Sequence, residues 1–157
     1  MRLAATAVFL IEEYRTCKEP SGKYVVHLLL DSLCRHAPWR RFYASKRAQK
    51  KADQLGLGDL AQYHWRHQKK AMGDKERKVF HWEHVHTVRQ LRTELLKLPS
   101  PDDASVRRVL RKATGAWILK SEDKKLSDNG YTSKRPFPFA AYRKVGIELI
   151  RRRAVPV

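Results

Sequence analysis

The apolar positions in the first 34 residues follow helical spacing. Leu3 to Tyr14 and Tyr24 to Cys34 carry apolar side chains at mixed three- and four-residue intervals, and Pro20-Ser21-Gly22 interrupts the pattern between them. Such spacing places the apolar side chains on one side of a helix. The pattern therefore predicts two helices that pack together and are largely buried.

Basic and aromatic residues then alternate in a tract with helical spacing. A third helix is predicted to begin at Trp39, with Phe42 and Tyr43 on the same side, and to end near Leu55-Gly56. A fourth helix is predicted over residues 60–72, because an aspartate precedes it as a candidate N-cap and a glycine follows it as a stop.

Residues 78–85 change to an alternating pattern, which predicts a short strand. One face would carry Phe80, Trp82 and His84, and the other Val79, His81, Glu83 and Val85. Thr87 and Gln90, three residues apart, predict a capping box that starts a helix with an apolar stripe. That stripe consists of Val88, Leu91, Leu95 and Leu98.

The last third of the chain predicts short elements. Ser100, followed by a proline and two aspartates, is a predicted helix N-cap, and that helix would run to about Ala113. A strand over 116–120, a helix from Ser121 to Leu126 and a basic loop over 133–138 are expected next. A short helix around 140–144 and a strand over 146–151 would follow. Together these patterns predict an α+β fold: a mostly α-helical single domain, 1–157, with a small sheet of two or three short strands.

Charge divides the chain into two parts. The sequence holds 34 Lys and Arg against 16 Asp and Glu, a net charge of +18. Residues 1–34, the helical pair, hold four basic and four acidic side chains, so the whole excess lies in residues 35–157. Because uncompensated like charges repel each other on a folded surface, such an excess indicates a polyanionic partner, and DNA or RNA fits best.

Composition also bears on other function classes. Two cysteines are too few for a disulfide framework, which favours a reducing, cytoplasmic location. The apolar run at the N-terminus is shorter than the ~20 residues of a membrane span, so no membrane is expected as partner, although attraction to anionic lipid stays an alternative. No glycine-rich phosphate loop or nucleophile elbow is present.

A basic tract interleaved with aromatic residues is the predicted nucleic-acid surface. Residues 35–78 hold 13 Lys and Arg against four acidic residues, together with five aromatic rings between Trp39 and Trp65. Cations displace counterions from phosphates and rings stack on bases, although the rings are equally explained as core anchors. The candidate contacts are Arg35, Arg40, Arg41, Lys46, Arg47, Lys50, Lys51, Arg66, Lys69 and Lys70.

The candidate catalytic residues lie in the histidine-rich segment 80–86. Imidazole exchanges protons near neutral pH and binds divalent metals. The run Trp82-Glu83-His84-Val85, at a strand end before a helix, resembles the opening of the HNH or His-Me finger nucleases. This resemblance implies that His84 activates water and that Glu83 or another residue helps to hold a divalent cation. His86, beyond the strand end, could point to either face and is the third candidate catalytic residue.

Three alternatives for these residues stay open. The histidines could pack against Trp82 or bond to the backbone. They could instead form a zinc site from His81, His84 and His86, joined by His64 or His67. A magnesium centre could form from Asp102 or Asp103 with Glu122, Asp123 and Lys124, although these acids are also explained as helix-capping residues.

The sequence therefore predicts a basic nucleic-acid-binding protein with a candidate nuclease site that uses histidine or a divalent metal, Mg²⁺ or Zn²⁺. The alternative is a non-catalytic binder of nucleic acid or of an acidic surface, such as an architectural, ribosome-associated or phage-encoded inhibitory protein.

Overall fold

The computed structural model describes residues 2–37 and 41–152, with the exception of the side chains of Arg2, Arg41 and His67. Within these residues the helices are α1 (Arg2–Thr16), α2 (Pro20–His36), α3 (Lys46–Gln54), α4 (Gln68–Ala71), α5 (Val88–Leu96), α6 (Asp103–Leu110), α7 (Lys120–Asp128) and α8 (Pro138–Lys144). The strands are β1 (Arg41–Ser45), β2 (Phe80–His84), β3 (Thr114–Leu119) and β4 (Leu149–Arg152). The α+β fold class is confirmed, with four strands in place of the expected two or three.

The chain forms two compact units, and each unit draws on two separate segments. The helical unit comprises Met1–Trp39 and His86–Ala113, and the sheet unit comprises Arg40–Val85 and Thr114–Val157. The helical unit therefore contains the predicted neutral pair together with α5 and α6, which the charge distribution had assigned to the basic part.

Four helices form the core of the helical unit. Ile11 of α1, Leu30 of α2 and Leu95 of α5 are fully buried there. Arg92 of α5 pairs with Asp31 of α2, which ties these two helices together. The predicted pair of helices is confirmed, but α2 already begins at Pro20, because proline is well tolerated in the first turn.

The sheet has the strand order β2-β3-β1-β4. β1 runs parallel to β3, whereas the β1–β4 and β2–β3 pairs are antiparallel. The strands predicted over 78–85, 116–120 and 146–151 correspond to β2, β3 and β4, with shifted ends. The α5–α6 hairpin lies between the paired strands β2 and β3 in sequence.

The helix predicted from Trp39 is wrong over its first part. Residues 41–45 form β1, which is hydrogen-bonded on both sides, and only residues 46–54 are helical. Phe42 and Ala44 alternate into one buried layer, which a strand permits and a helix does not. Ser45 ends the strand and caps α3, since its Oγ accepts the Ala48 N–H at 2.9 Å.

One further segment differs from the prediction. The helix expected over 60–72 is divided into 3₁₀ turns at Leu60–Gln62 and Trp65–His67 and the single turn α4. Asp59 does cap the first turn, as expected, and Gly73 follows α4 with a φ of 65°.

The predicted serine caps are also wrong. Asp102 rather than Ser100 caps α6, in a capping box with Ser105. Leu119 rather than Ser121 precedes α7, and the Glu122 carboxylate accepts the Leu119 N–H at 2.9 Å. The predicted capping box of Thr87 and Gln90 at the start of α5 is confirmed.

The two faces of the sheet are covered by different helices. On the α3 side, Phe80 and Trp117 are fully buried, and the Trp82 ring stacks on Phe42 at 5.5 Å between centroids. On the α7 side, Ile118 packs with Leu126 of α7 and with α8. Successive residues of β2 therefore face opposite layers.

A buried aspartate organises the turn before β2. The Asp74 carboxylate accepts the backbone N–H groups of Lys78, Val79 and Phe80 and the Gln68 side-chain amide. Burial favours the protonated form of Asp74, but these hydrogen bonds outweigh it and lower the pKa.

Candidate functional site

A group of ionisable side chains lies on the α7 side of the sheet at β2. Alternation along β2 turns His81 and Glu83 to this side, and the first turn of α7 supplies Lys120 and Asp123. Arg135, from the loop before α8, forms an ion pair with the Glu83 carboxylate. We call these five residues the polar cluster.

His81 is the centre of the polar cluster. Its Nε2 lies 3.0 Å from the Glu83 carboxylate and 3.6 Å from an Asp123 oxygen. Its Nδ1 lies 2.9 Å from the Lys120 Nζ. Since an ammonium group can only donate, Nδ1 accepts from Lys120 and the ring proton resides on Nε2, from which it is donated to Glu83.

Arg135 holds the other side of the Glu83 carboxylate. Its guanidinium donates to Glu83 Oε1 at 2.6 Å, to the His84 carbonyl at 2.9 Å and to the Tyr142 hydroxyl at 3.0 Å. The Arg135 side chain is 2% exposed and that of Glu83 12%. This is a buried ion pair with several additional hydrogen bonds, so the orientation of the carboxylate is set by buried groups.

The electrostatics keep Glu83 ionised and Tyr142 protonated. Burial disfavours the charged form of Glu83, but the hydrogen bonds of His81 and Arg135 and the positive charge of Arg135 outweigh it and lower the pKa. Burial and the negative charge of Glu83 raise the pKa of Tyr142 well above its ordinary value. Tyr142 is therefore a neutral partner, and the negative charge resides on Glu83.

One edge of the polar cluster reaches solvent. The side chains of His81 and Asp123 are each 28% exposed, and that of Lys120 is 41% exposed. Lys120 pairs with Asp123 and Arg135 with Glu83, so each carboxylate has a positive charge beside it. The arrangement can therefore exchange protons with a bound molecule, or hold a cation, at this open edge.

Of the residues expected from the nuclease resemblance, only Glu83 belongs to the polar cluster. His84 follows it on β2 and its ring falls on the α3 side by alternation, while its carbonyl accepts from Arg135. His86 lies in the helical unit. The three histidines proposed as metal ligands are thus distributed between two faces and two units.

The other metal alternatives are also separated. His64 caps the second 3₁₀ turn through its Nδ1, and the His67 side chain lies outside the described residues. Asp102 caps α6 and Asp103 pairs with Arg107, as the capping interpretation expects. Glu122 is buried, where it accepts the Ser45 hydroxyl at 2.6 Å, and Lys124 pairs with Asp128.

The predicted nucleic-acid contacts lie mainly on the α3 side. Lys46, Arg47, Lys50 and Lys51 belong to α3, Lys69 and Lys70 to α4, and Arg66 lies over the Trp65 ring. Arg35 is exposed on α2, whereas Arg40 and the Arg41 side chain lie outside the described residues. Among the aromatic rings of this tract, Phe42, Tyr63 and Trp65 pack into the α3-side core, as core anchors do.

Sequence reasoning missed Lys120 and Arg135 as site residues. The sequence pattern groups Asp123 with Asp102 or Asp103, Glu122 and Lys124 rather than with the histidine segment. A second set of exposed cations, on the α7 side with the polar cluster, was also missed. It comprises Lys124, Lys125, Lys134, Arg143 and Lys144. The only signal for it was the basic loop predicted over 133–138.

No family model, curated protein or solved structure matches this chain. In the part of the chain that the structure describes, no helix has the length and apolar character needed to cross a bilayer.

Proposed function

We propose that this protein binds nucleic acid through its sheet unit and hydrolyses phosphodiester bonds at the polar cluster. The observation that carries this proposal is an imidazole held between a carboxylate and an ammonium group at the solvent edge of a strongly basic unit. Both cysteines are free, as is usual in the cytoplasm, where we propose that the protein acts.

The charge of the sheet unit supports a polyanionic partner. This unit carries 22 Lys and Arg against 9 Asp and Glu, an excess of 13, whereas the helical unit carries 12 against 7. Arg47, Lys50, Lys69 and Lys70 are exposed and have no acidic partner among the described residues. Such cations gain most from phosphate, because no carboxylate already neutralises them.

The cations on the α7 side give a phosphate backbone a route to the polar cluster. Lys134 precedes Arg135 in the loop, and Arg143 and Lys144 lie on the exposed side of α8. Arg135 and Tyr142 of the same segments contact Glu83 or its partner, and we propose that the neighbouring exposed cations bind the phosphates that flank the cleaved bond.

The polar cluster has the groups that hydrolysis of a phosphodiester requires. Water adds across a P–O bond: its hydroxyl joins phosphorus, one proton leaves the water and the departing oxygen gains one. The Asp123 carboxylate can accept the first proton, and so can Nδ1 of the imidazole once Lys120 turns from it to the phosphate, where the ammonium group stabilises the charge that develops.

Cleavage assays test the catalytic part of the proposal. Purified protein is incubated with plasmid DNA and with total RNA, with added Mg²⁺ or Mn²⁺ and with EDTA. We expect His81→Gln and Asp123→Asn to lose at least about 100-fold in rate, the lower range for a general acid or base. Asp128→Asn, a matched change at an exposed carboxylate of α7, should cleave as the wild type does.

His84 distinguishes this proposal from the nuclease resemblance. If His84→Gln abolishes cleavage while His81→Gln retains it, the cleavage site is at His84 on the α3 side and not at the polar cluster. Absence of cleavage under every condition would contradict the hydrolytic part for either histidine.

Binding is tested separately by titration with fluorescent DNA and RNA at several salt concentrations. Log K should fall by roughly 0.7 to 0.9 per phosphate neutralised for each tenfold rise in salt. Charge reversal of Lys134, Arg143 and Lys144 should weaken binding and reduce this slope, and reversal of Lys50, Lys69 and Lys70 measures the part played by the α3 side. A slope near zero would contradict binding through phosphates.

A non-catalytic binder is the second candidate, and one observation favours it. Each charge of the polar cluster already has an opposite charge beside it, as in ion networks that only stabilise a fold. This candidate predicts salt-dependent binding without cleavage, and binding that is unchanged in His81→Gln.

A further inference from the structure

We infer that the polar cluster is a binding site for a divalent transition metal, Mn²⁺ or Zn²⁺, with His81 Nε2, a Glu83 oxygen and an Asp123 oxygen as ligands. The inference deepens the proposed hydrolytic function, since it names the ion that would activate water there. Its own evidence is the geometry of the three side chains.

The spacing of the three ligand atoms suits one small ion. His81 Nε2 lies 3.0 Å from the Glu83 oxygen and 3.6 Å from the Asp123 oxygen, and one such atom from each residue lies within 4.8 Å of the others. Ligands about 2.0–2.2 Å from a metal lie about 3.0–3.6 Å from each other in octahedral or tetrahedral geometry. Only small movements would close the site around an ion.

Arg135 already sets the orientation of the Glu83 carboxylate. Arg135 donates to Glu83 Oε1 at 2.6 Å, so Oε2 is the oxygen turned toward His81. A buried donor that orients a ligating carboxylate is the usual outer support of a metal site. Arg135 can therefore stay in place when the ion binds.

The donor set favours a transition metal over magnesium or calcium. One imidazole nitrogen and two carboxylates suit Mn²⁺ and Zn²⁺, whereas Mg²⁺ and Ca²⁺ prefer oxygen alone. Three protein ligands leave coordination positions for water or for a phosphate oxygen, which is the arrangement of hydrolytic metal sites. The exposed edge of His81 and Asp123 gives the ion access.

Lys120 must turn away when the ion binds. Its ammonium donates to His81 Nδ1 and therefore keeps the ring proton on Nε2, the nitrogen that would ligate. Metal binding moves this proton to Nδ1, and an N–H there repels the ammonium group. Lys120 thus competes with the ion, and a bound phosphate would offer the displaced ammonium a new partner.

Metal binding to the intact protein, without nucleic acid, tests the inference. The probes are Mn²⁺, followed by loss of the free-ion EPR signal, and Zn²⁺, followed by calorimetry. We expect His81→Gln and Asp123→Asn each to weaken binding at least about tenfold, the lower range for loss of a supporting group. Lys120→Met should tighten it roughly tenfold, because it removes a competing charge. Asp128→Asn should bind as the wild type does.

The outcomes separate this inference from the proposed function. If neither the wild type nor Lys120→Met binds either ion, or if His81→Gln and Asp123→Asn bind as well as the wild type, the metal site is wrong. Cleavage that persists in EDTA, together with no metal binding by the wild type, would contradict the metal site and leave the hydrolytic function intact. Metal binding at His81 and Asp123 without any cleavage would support the metal site and contradict the hydrolytic function.

Discussion

Replacement of Arg135 by methionine is the most direct test of the polar cluster as a structural unit. The guanidinium of Arg135 contacts the Glu83 carboxylate, two backbone carbonyls and the Tyr142 hydroxyl, and its side chain is 2% exposed. Methionine fills a similar volume without a charge. The change therefore leaves Glu83 buried without its main counter-charge.

The expected loss is large because the charge that stays behind is poorly solvated. Breaking a buried pair by removal of one partner costs about 3–5 kcal/mol. In a chain of this length each kcal/mol lowers Tm by about 2–4 °C, so Tm should fall by roughly 6–20 °C. Arg135→Lys, which keeps a charge but loses the planar set of donors, should cost less.

Urea unfolding followed by tryptophan fluorescence measures the effect, since Trp65, Trp82 and Trp117 all lie in the sheet unit. Arg143→Met is the matched control, because Arg143 is exposed on α8 and its loss should change stability by less than about 0.5 kcal/mol. The double variant with Glu83→Gln should cost less than the sum of the two single changes, by about 0.5–3 kcal/mol.

Two results would refute this reasoning. A loss below about 1 kcal/mol in Arg135→Met would mean that Glu83 does not depend on the ion pair. Additive effects of Arg135→Met and Glu83→Gln would mean that the two side chains are not coupled. If Arg135→Met does not fold, Arg135→Lys and the double variant still measure the coupling.

Three further predictions concern other parts of the fold. Gly115→Ala should cost about 1–3 kcal/mol in urea unfolding, because a Cβ there would clash with the Trp82 ring. In a Trp82→Leu background the same change should cost much less, and an equal cost in both backgrounds would contradict the clash. Asp74 has a lowered pKa in the folded state, so its contribution to stability is present above its unfolded pKa of about 3.8 and is lost as pH falls through the native pKa. Asp74→Asn should therefore flatten the acid limb of a plot of unfolding free energy against pH, and an unchanged acid limb would contradict this. Burial raises the pKa of Cys34 to about 12. A thiol reagent should therefore modify the partly exposed Cys17 in the native protein and Cys34 only after unfolding. Fast labelling of both thiols in the native protein would contradict the buried position of Cys34.

Elements that depend on neighbouring residues could be predicted from the sequence. The alternation of β2, the capping box of Thr87 and Gln90 and the stop at Gly73 each involve residues only a few positions apart. Their physical causes are local: strand geometry, an N-cap hydrogen bond and a left-handed backbone conformation. The charge excess and the α+β class follow from composition and periodicity in the same way.

β1 could not be predicted because its partners are distant. Residues 41–45 carry a pattern that fits a helix, and they become a strand because β3 and β4 supply hydrogen bonds on both sides. Burial of Phe42 and Ala44 in one layer adds to this preference. Tertiary pairing here overrides the local pattern.

The site itself was decided by tertiary structure. The sequence indicated a histidine-rich segment and placed His84 and Glu83 on opposite faces of a strand, but it could not show which face holds partners. Lys120 lies 39 positions from His81 and Arg135 lies 52 from Glu83. Sequence alone determined the charge and the local elements, because neighbours in the chain set them. Only the folded sheet brought these distant cations to His81 and Glu83, because strand pairing and helix packing, rather than spacing along the chain, decide which side chains meet.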